Sequence, residues 1–479
     1  MENTSEKSGV ATVLTVMLGT FMSGMDINVV NMALPVMQNS FHTAISAIEW
    51  VAIAYLLTLG ATQLTFGRLS DLLGHKKIYV SGFMLFTLSS LACSLSSILG
   101  VLIAFRVLQA LGAAMMQSSG APLIIAAVKP QNRGKSLGMI AVAVAVATCV
   151  GPVLGGMLTS RFGWNSIFLI NLPIGIIGSA IAVAVLQKDE KRSDNVRFDI
   201  AGSILIIFAL FFILLPLNFL SRSAMQWSTV SISVVAGIAA LVIFIVVELK
   251  NKQPLLNLSL FHDPVFAGSN FAALFYYMAE FIMIFLAPYF FQNLYGLSAM
   301  YAGMMMLPMS FSVMIGAPIS GAIADRFDSR ILGSAGLALM AAGIVLFSFY
   351  NQTTPVPLII ISMFLIGLGS GIFQTPNTSA VMGSVPAFHR GTASSTLGTM
   401  RTAGMAIGEA VSAALISYNM KAAAPVLMSK GLRGNALWRS EFAPSSHITC
   451  LVAAACILVA IILSMARGHI KPADEVESA

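Results

Sequence analysis

Residues 10–32 read VATVLTVMLGTFMSGMDINVVNM, and the one charged side chain among them is Asp26. A helix rises about 1.5 Å per residue, so about 20 apolar residues cross a hydrocarbon core about 30 Å thick. The stretch is long enough to span a membrane. A carboxylate near its centre costs roughly 2.5–3.5 kcal/mol on insertion scales, so it is retained for a reason. A spanning helix with an acid inside it is the first expectation.

Working outward, runs of the same kind lie near 46–66, 77–97, 99–128, 136–158, 165–186, 199–217, 228–247, 265–291, 300–323, 331–350, 356–383, 390–417 and 447–467. With 10–32 they predict an all-α membrane protein of about fourteen transmembrane helices. Composition agrees: 57% of the 479 residues are hydrophobic and 9% charged, with a mean hydropathy of +0.87. A soluble domain carries roughly 25% charged residues, so this chain could not cover a matching surface in water. The net charge of +7 is spread in short tracts between apolar runs, not gathered into a patch, which argues against nucleic acid. Of the 26 Lys and Arg, eighteen fall on the side of the N-terminus and six on the other. Both termini are therefore expected in the cytoplasm, with the chain in the cell's plasma or inner membrane. The N-terminus is polar and acidic, and the first apolar run has no small-residue cleavage site, so no signal peptide is expected. Cys93, Cys149, Cys450 and Cys456 sit inside apolar runs without metal-ligand spacing and are read as packing residues. Gly134-Lys135-Ser136 has the tail of a phosphate loop, but Lys129 stands where its first Gly must be. No ATP-driven pump, enzyme activity, metal or cofactor is expected.

The chain also repeats. A shift of 254 superposes Asp26 on Glu280, Gly67 on Gly321 and Asp71 on Asp325. A shift of 257 superposes Gly112 on Gly369, Gln117 on Gln374 and Gly151 on Gly408. This predicts a six-helix half over 1–190, two inserted helices over 191–262, and a second half over 263–479. Paired halves of this kind place a solute site at the midplane and alternate its access.

Asp26, Glu280 and Glu409 are the acids well inside apolar runs, with Arg106 and Arg401 as basic counterparts. They are the candidate proton-coupling and substrate-binding groups, beside the alternative of structural ion pairs. Arg401 and Glu409 share a helix face at i, i+8, which leaves a salt bridge between them open. Glu49, at the edge of its run, is read as interfacial. Arg106, Gln109 and Gln117 form a polar stripe on the fourth span, and Phe373, Gln374 and Asn377 lie on the twelfth. Asn31 completes the polar set near Asp26. These side chains suit either substrate contact or hydrogen bonds between helices.

The residues resemble the Major Facilitator Superfamily, specifically its fourteen-span drug:proton antiporter branch. Met25-Asp26-Ile27-Asn28-Val29-Val30-Asn31-Met32-Ala33-Leu34-Pro35 is similar to that branch's first-span signature, whose acid handles drug and proton. Gly67-Arg68-Leu69-Ser70-Asp71-Leu72-Leu73-Gly74-His75-Lys76-Lys77 resembles the superfamily's charge-relay loop, with His75 where Arg is usual. A degenerate second copy begins at Gly321 and contains Asp325. Arg106-Val107-Leu108-Gln109-Ala110-Leu111-Gly112 resembles the motif whose Arg assists proton transfer. Gly151-Pro152-Val153-Leu154-Gly155-Gly156 resembles the motif associated with exporters. Gly151 and Gly155 make a small-xxx-small surface, expected where the two halves close.

The resemblance implies a monomeric, proton-coupled antiporter that exports drugs or other lipophilic, often cationic, compounds. Two other readings stay open from the residues. One is export of a lipid, amino acid or metabolite, for which a cavity Arg401 would suit anionic cargo. The other is an uncoupled facilitator or a sensor on the same scaffold, which would have little use for three buried acids.

Overall fold

The computed structural model describes residues 2–129, 132–187, scattered positions within 202–215, and 227–251, 258–324, 328–386 and 390–468. Thirteen long helices appear among them: α1 (Glu2–Ser40), α2 (Trp50–Leu73), α3 (His75–Ser94), α4 (Leu99–Ala127), α5 (Arg133–Phe162), α6 (Asn171–Val185), α7 (Trp227–Lys250), α8 (Pro264–Tyr289), α9 (Ala299–Ala324), α10 (Ser329–Ser348), α11 (Val356–Gly383), α12 (Arg390–Ser429) and α13 (Gly434–Ala466). Twelve of them are long and apolar enough to cross a membrane. The thirteenth, α12, is rich in Thr, Ser, Gly and Ala and is packed against α2, α8 and α13, so it has little need of an apolar surface. The expected span over 199–217 lies largely outside the described residues, as does Asp325.

The outer surface is apolar. On α7, Ile232, Val235, Ile238, Val242 and Leu249 are all more than half exposed. In water such a face would associate; against lipid tails it is the ordinary exterior.

One expectation is corrected at the end of the chain. The polar stretch 418–447, which the expected spans 390–417 and 447–467 leave as a loop between them, is instead helical, with α12 and α13 running on to a turn at Lys430–Arg433. About 20 residues cross the bilayer, and Lys421-Ala422-Ala423-Ala424 beyond that length is good helix sequence in water.

The repeat recurs in the packing. A Cβ on Gly112 of α4 would lie 2.6 Å from Phe86 N and 2.8 Å from Gly82 O of α3. A Cβ on Gly369 of α11 would lie 2.5 Å from Met340 N and 2.4 Å from Gly336 O of α10. Phe86 and Gly82 map onto Met340 and Gly336 by the shift of 254. Gly67 likewise faces Ser118 where Gly321 faces Thr375. The same backbone approaches are thus built twice.

The halves meet along α5–α9, α2–α12 and α1–α8. With the end of α1 at Ser40 taken as the far end of the bundle, the α5–α9 seam runs there from the middle. Met300 N donates to Ser160 Oγ at 3.0 Å, and Ser310 Oγ donates to Thr148 O at 3.1 Å. The expectation for Gly151 changes here. Gly151 and Gly155 pack on α1 of their own half, where their Cβ atoms would meet Asn28 Cβ at 2.6 Å and Val29 Cα at 2.9 Å. Gly156, five residues on and so about 140° around the helix, is the one that faces α9. Its Cβ would lie 2.2 Å from Ala299 O, and one on Gly303 would lie 2.4 Å from Pro152 O.

Two outcomes are expected. Gly112→Ala and Gly369→Ala should each lower thermal stability in detergent by about 1–3 kcal/mol through overpacking. Gly100→Ala, with nothing within 4 Å of the new Cβ, should not. Gly156→Leu should hold the far ends of α5 and α9 apart. The readout is a disulfide between Ser160→Cys and Met300→Cys, which should form on oxidation of the parent and fail once Gly156→Leu is added. Equal cross-linking would show that the seam tolerates the side chain.

Candidate functional site

Each half encloses a polar cluster around the acid that the repeat pairs. In the first half, α1 brings Asp26 to the stripe on α4. Asp26 Oδ2 accepts from Arg106 Nη1 in a buried ion pair, and Asp26 Oδ1 accepts from Gln109 Nε2 at 2.9 Å and Asn171 Nδ2 at 2.9 Å. The stripe works because i, i+3 spacing sets Arg106 and Gln109 on one face. Arg106 Nη1 also donates to Gln109 Oε1 at 2.7 Å, and Nε donates to Val51 O at 2.8 Å. The guanidinium lies 4.2 Å from the ring centre of Tyr55, a cation–π contact. Gln109 Nε2 reaches Ser90 Oγ of α3 at 2.8 Å. Four helices therefore converge on one carboxylate whose charge is matched and hydrogen-bonded.

In the second half, Glu280 of α8 accepts from Tyr276 Oη at 2.7 Å and from Ser370 Oγ of α11 at 3.1 Å. Gln374 Nε2 donates to Tyr276 Oη at 2.8 Å and to Ser370 Oγ at 3.1 Å. Phe373 packs on the Tyr276 ring at 4.8 Å. Arg401 of α12 is an electrostatic neighbour of both Glu280 and Tyr277. The Arg401–Glu409 salt bridge that the sequence left open is not made, since neither Glu409 oxygen has a hydrogen-bond partner among the described residues. Eight residues rise about 12 Å along a helix, too far for direct contact.

Glu409 faces the other way. It is fully buried, and neither carboxylate oxygen has a hydrogen-bond partner among the described residues. Arg106 of the other half acts on it electrostatically, and the Nη2 of that arginine is likewise without a hydrogen-bond partner. Tyr289 of α8, its hydroxyl also unpartnered, has both Glu49 and Glu409 as electrostatic neighbours. Glu49 is 1% exposed, so it belongs to this inter-half group and is not interfacial. It escapes the criterion of lying well inside an apolar run because it sits in the turn before α2, at the start of the run 46–66.

The remaining expected residues fall elsewhere. Gln117 Nε2 reaches Ser23 Oγ at 3.3 Å, about a turn from Asp26 along α1. Asn31 is buried with both amide atoms unpartnered, turned about 140° around α1 from Asp26. Asn377 is bonded at both ends, donating to Ser269 O at 3.1 Å and accepting from Arg467 at 3.0 Å, and does not join Glu280. In the loop motif, Gly74 has φ +101°, a conformation that favours glycine, and turns α2 into α3. His75 lies 3.6 Å from Asp71 and 3.0 Å from Ser70 Oγ. Lys76 donates to Val183 O at 2.8 Å and to Leu186 O, capping the end of α6.

Tyr55, Ser90, Asn171, Tyr276, Ser370 and Tyr289 were missed from sequence. Tyr276 was within reach, because i, i+4 spacing puts it on the face of Glu280. Asn171 was also within reach, as the one amide inside the expected run 165–186 after its first residue. The serines carry no signal, being too common in the chain.

The sequence profile of the Major Facilitator Superfamily matches residues 16–409. The chain is 32% identical over 415 residues to the riboflavin transporter RibZ of Clostridioides difficile, covering 85% of this chain and 89% of that one. It is 30% identical over 403 residues to the multidrug resistance protein Stp of Mycobacterium tuberculosis, covering 84% and 74%. Its fold matches a bacterial homologue of the human lysosomal transporter Spinster, solved inward-facing and unoccupied. That match has a TM-score of 0.65 at 13% identity and covers 95% and 97% of the two chains. Doubled helix packing, a buried acid in each half and these matches lead to one conclusion: the chain is a transporter and belongs to the Major Facilitator Superfamily.

Proposed function

We propose that the protein exports drugs or related lipophilic compounds in exchange for protons, as a monomer in the cell membrane with both termini cytoplasmic. The orientation rests on the eighteen-to-six bias of basic residues. Export of drugs is supported by the resemblance to Stp, whose name states multidrug resistance.

The observation that carries proton coupling is the arrangement around Arg106. One guanidinium nitrogen is paired with Asp26 in its own half. Another is unpartnered, and its electrostatic neighbour is the unpartnered Glu409 of the opposite half. A proton arriving on Asp26 removes the charge that holds Arg106, leaving Glu409 as the anion on which it can settle. Arg106 would then draw the halves together on one side of the site and release them when the proton leaves. Arg106 keeps a counter-ion in both states of this cycle, which avoids the cost of a lone cation in low dielectric. Glu280, held by a hydroxyl pair and with Arg401 nearby, is the group left to meet a cationic solute. A proton on Asp26 and a solute on Glu280 that favour opposite access states then give exchange by mass action.

A second reading has an observation of its own. The 32% identical relative is named a riboflavin transporter, so a metabolite is an alternative cargo on the same machinery.

Asp26→Asn should fold poorly, since breaking a buried pair by removing one partner costs about 3–5 kcal/mol. Adding Arg106→Gln should restore thermal stability but not exchange. Drug-driven proton release from proteoliposomes should stay at least about tenfold below the parent, as expected for loss of charge-assisted bonds worth about 1.5–3 kcal/mol. Full proton release by the stable double variant would end the coupling proposal. Glu280→Gln should impair export of a permanent cation more than that of a neutral compound. Equal loss of both would remove Glu280 from cation recognition.

A further inference from the structure

The shift of 254 reaches beyond the buried acids. Gln38-Asn39, at the end of α1, maps onto Gln292-Asn293, just past α8, as the same dipeptide. All four side chains line a single cavity of 330 Å³ at the far end of the bundle. Groups related by the repeat and lining one cavity must lie around the axis that relates the halves. The pocket therefore sits where the path between the halves emerges. Gln292 marks the seam itself, donating across it to Met32 O at 3.0 Å.

The rest of the lining comes from the second half alone. The first turns of α13, part of the helical extension beyond the bilayer, add Asn435, Trp438 and Arg439. Trp438 is stacked on Phe442 at 4.5 Å and 16°, which fixes its ring.

We propose that this cavity is a binding site for planar heteroaromatic carboxylates at the exit of the transport path. Its volume falls in the range of small-molecule pockets, about 300–1,000 Å³. Five carboxamides offer donors and acceptors to the carbonyl and N–H edges of a flat ring. The indole offers an apolar face, and the Arg439 guanidinium matches a carboxylate fork. No acid is among the lining residues, so the site discriminates against cations. A flat anionic solute arriving here has already crossed the seam and is held briefly on this face, while a cation leaves without being held. Its role as an exit rests on the export reading; its binding chemistry does not.

The test uses the whole protein in nanodiscs and equilibrium dialysis with two flat probes, nalidixate, an anion, and ethidium, a cation. The Asp26→Asn/Arg106→Gln background is used alongside the parent, so that the central site does not report. Nalidixate should bind in both backgrounds. Binding should weaken at least fivefold in Asn39→Ala/Arg439→Ala, whose two residues are exposed and carry little of the fold. Arg439→Glu should reverse the preference toward ethidium, a gain that misfolding cannot produce. Unchanged nalidixate binding in these variants, or no nalidixate binding by the parent, overturns the site. Efflux by the parent is measured in parallel. Loss of the site with efflux intact leaves the exporter standing, while binding that survives in a parent without efflux supports the pocket and removes the export reading.

Discussion

Lipid tails are as apolar as leucine, so helices in a membrane gain little by hiding apolar faces from lipid; they are held by close packing and polar contact. Close packing needs positions without a side chain. The structure supplies them at Gly82, Gly112, Gly336 and Gly369, where backbones come within the distance a Cβ would occupy. Those approaches set the spacing of α3 against α4 and of α10 against α11. That spacing in turn lets Ser90 and Gln109 meet in one half. The polar clusters are consequences of the glycine contacts, not independent devices.

Within this frame the halves are electrically unequal. The first holds a matched pair, Asp26 with Arg106, enclosed by amides and an aromatic ring. The second holds an acid dressed by hydroxyls. Glu409 belongs to the second half in sequence and to the first in electrostatics. A charge of one half answered by the other half makes their relative position matter to the energy of the buried ions, as a two-state transporter requires.

Much of this was legible from residues. Helix positions followed from apolar length, and the boundaries of α11 coincide with the expected run 356–383. The shared face of Arg106 and Gln109 followed from period 3.6, and the interest of the buried acids from the cost of lone charges. Three things were not legible. The direction in which Gly151 and Gly156 point depends on how α5 is rotated in the bundle, which composition does not encode. The choice of Arg401 between Glu280 and Glu409 is a matter of rise along the helix and of neighbouring helices. The helical course of 418–447 was hidden because polarity was read as loop, although a helix leaving the bilayer also turns polar.

Arg467, just past α13, is 2% exposed and bonds Ser269 of α8 at 2.9 Å, Asn377 of α11 at 3.0 Å and Ser329 of α10 at 3.1 Å. Helices enter a membrane in the order of synthesis, before they pack. The first helix of this half thus carries a polar group whose partner is made about two hundred residues later. Until that arginine emerges, α8, α10 and α11 lack the cross-tie at their near ends. Biogenesis of the second half is therefore governed from its last helix, whereas the first half completes the Asp26 cluster as soon as Asn171 is inserted.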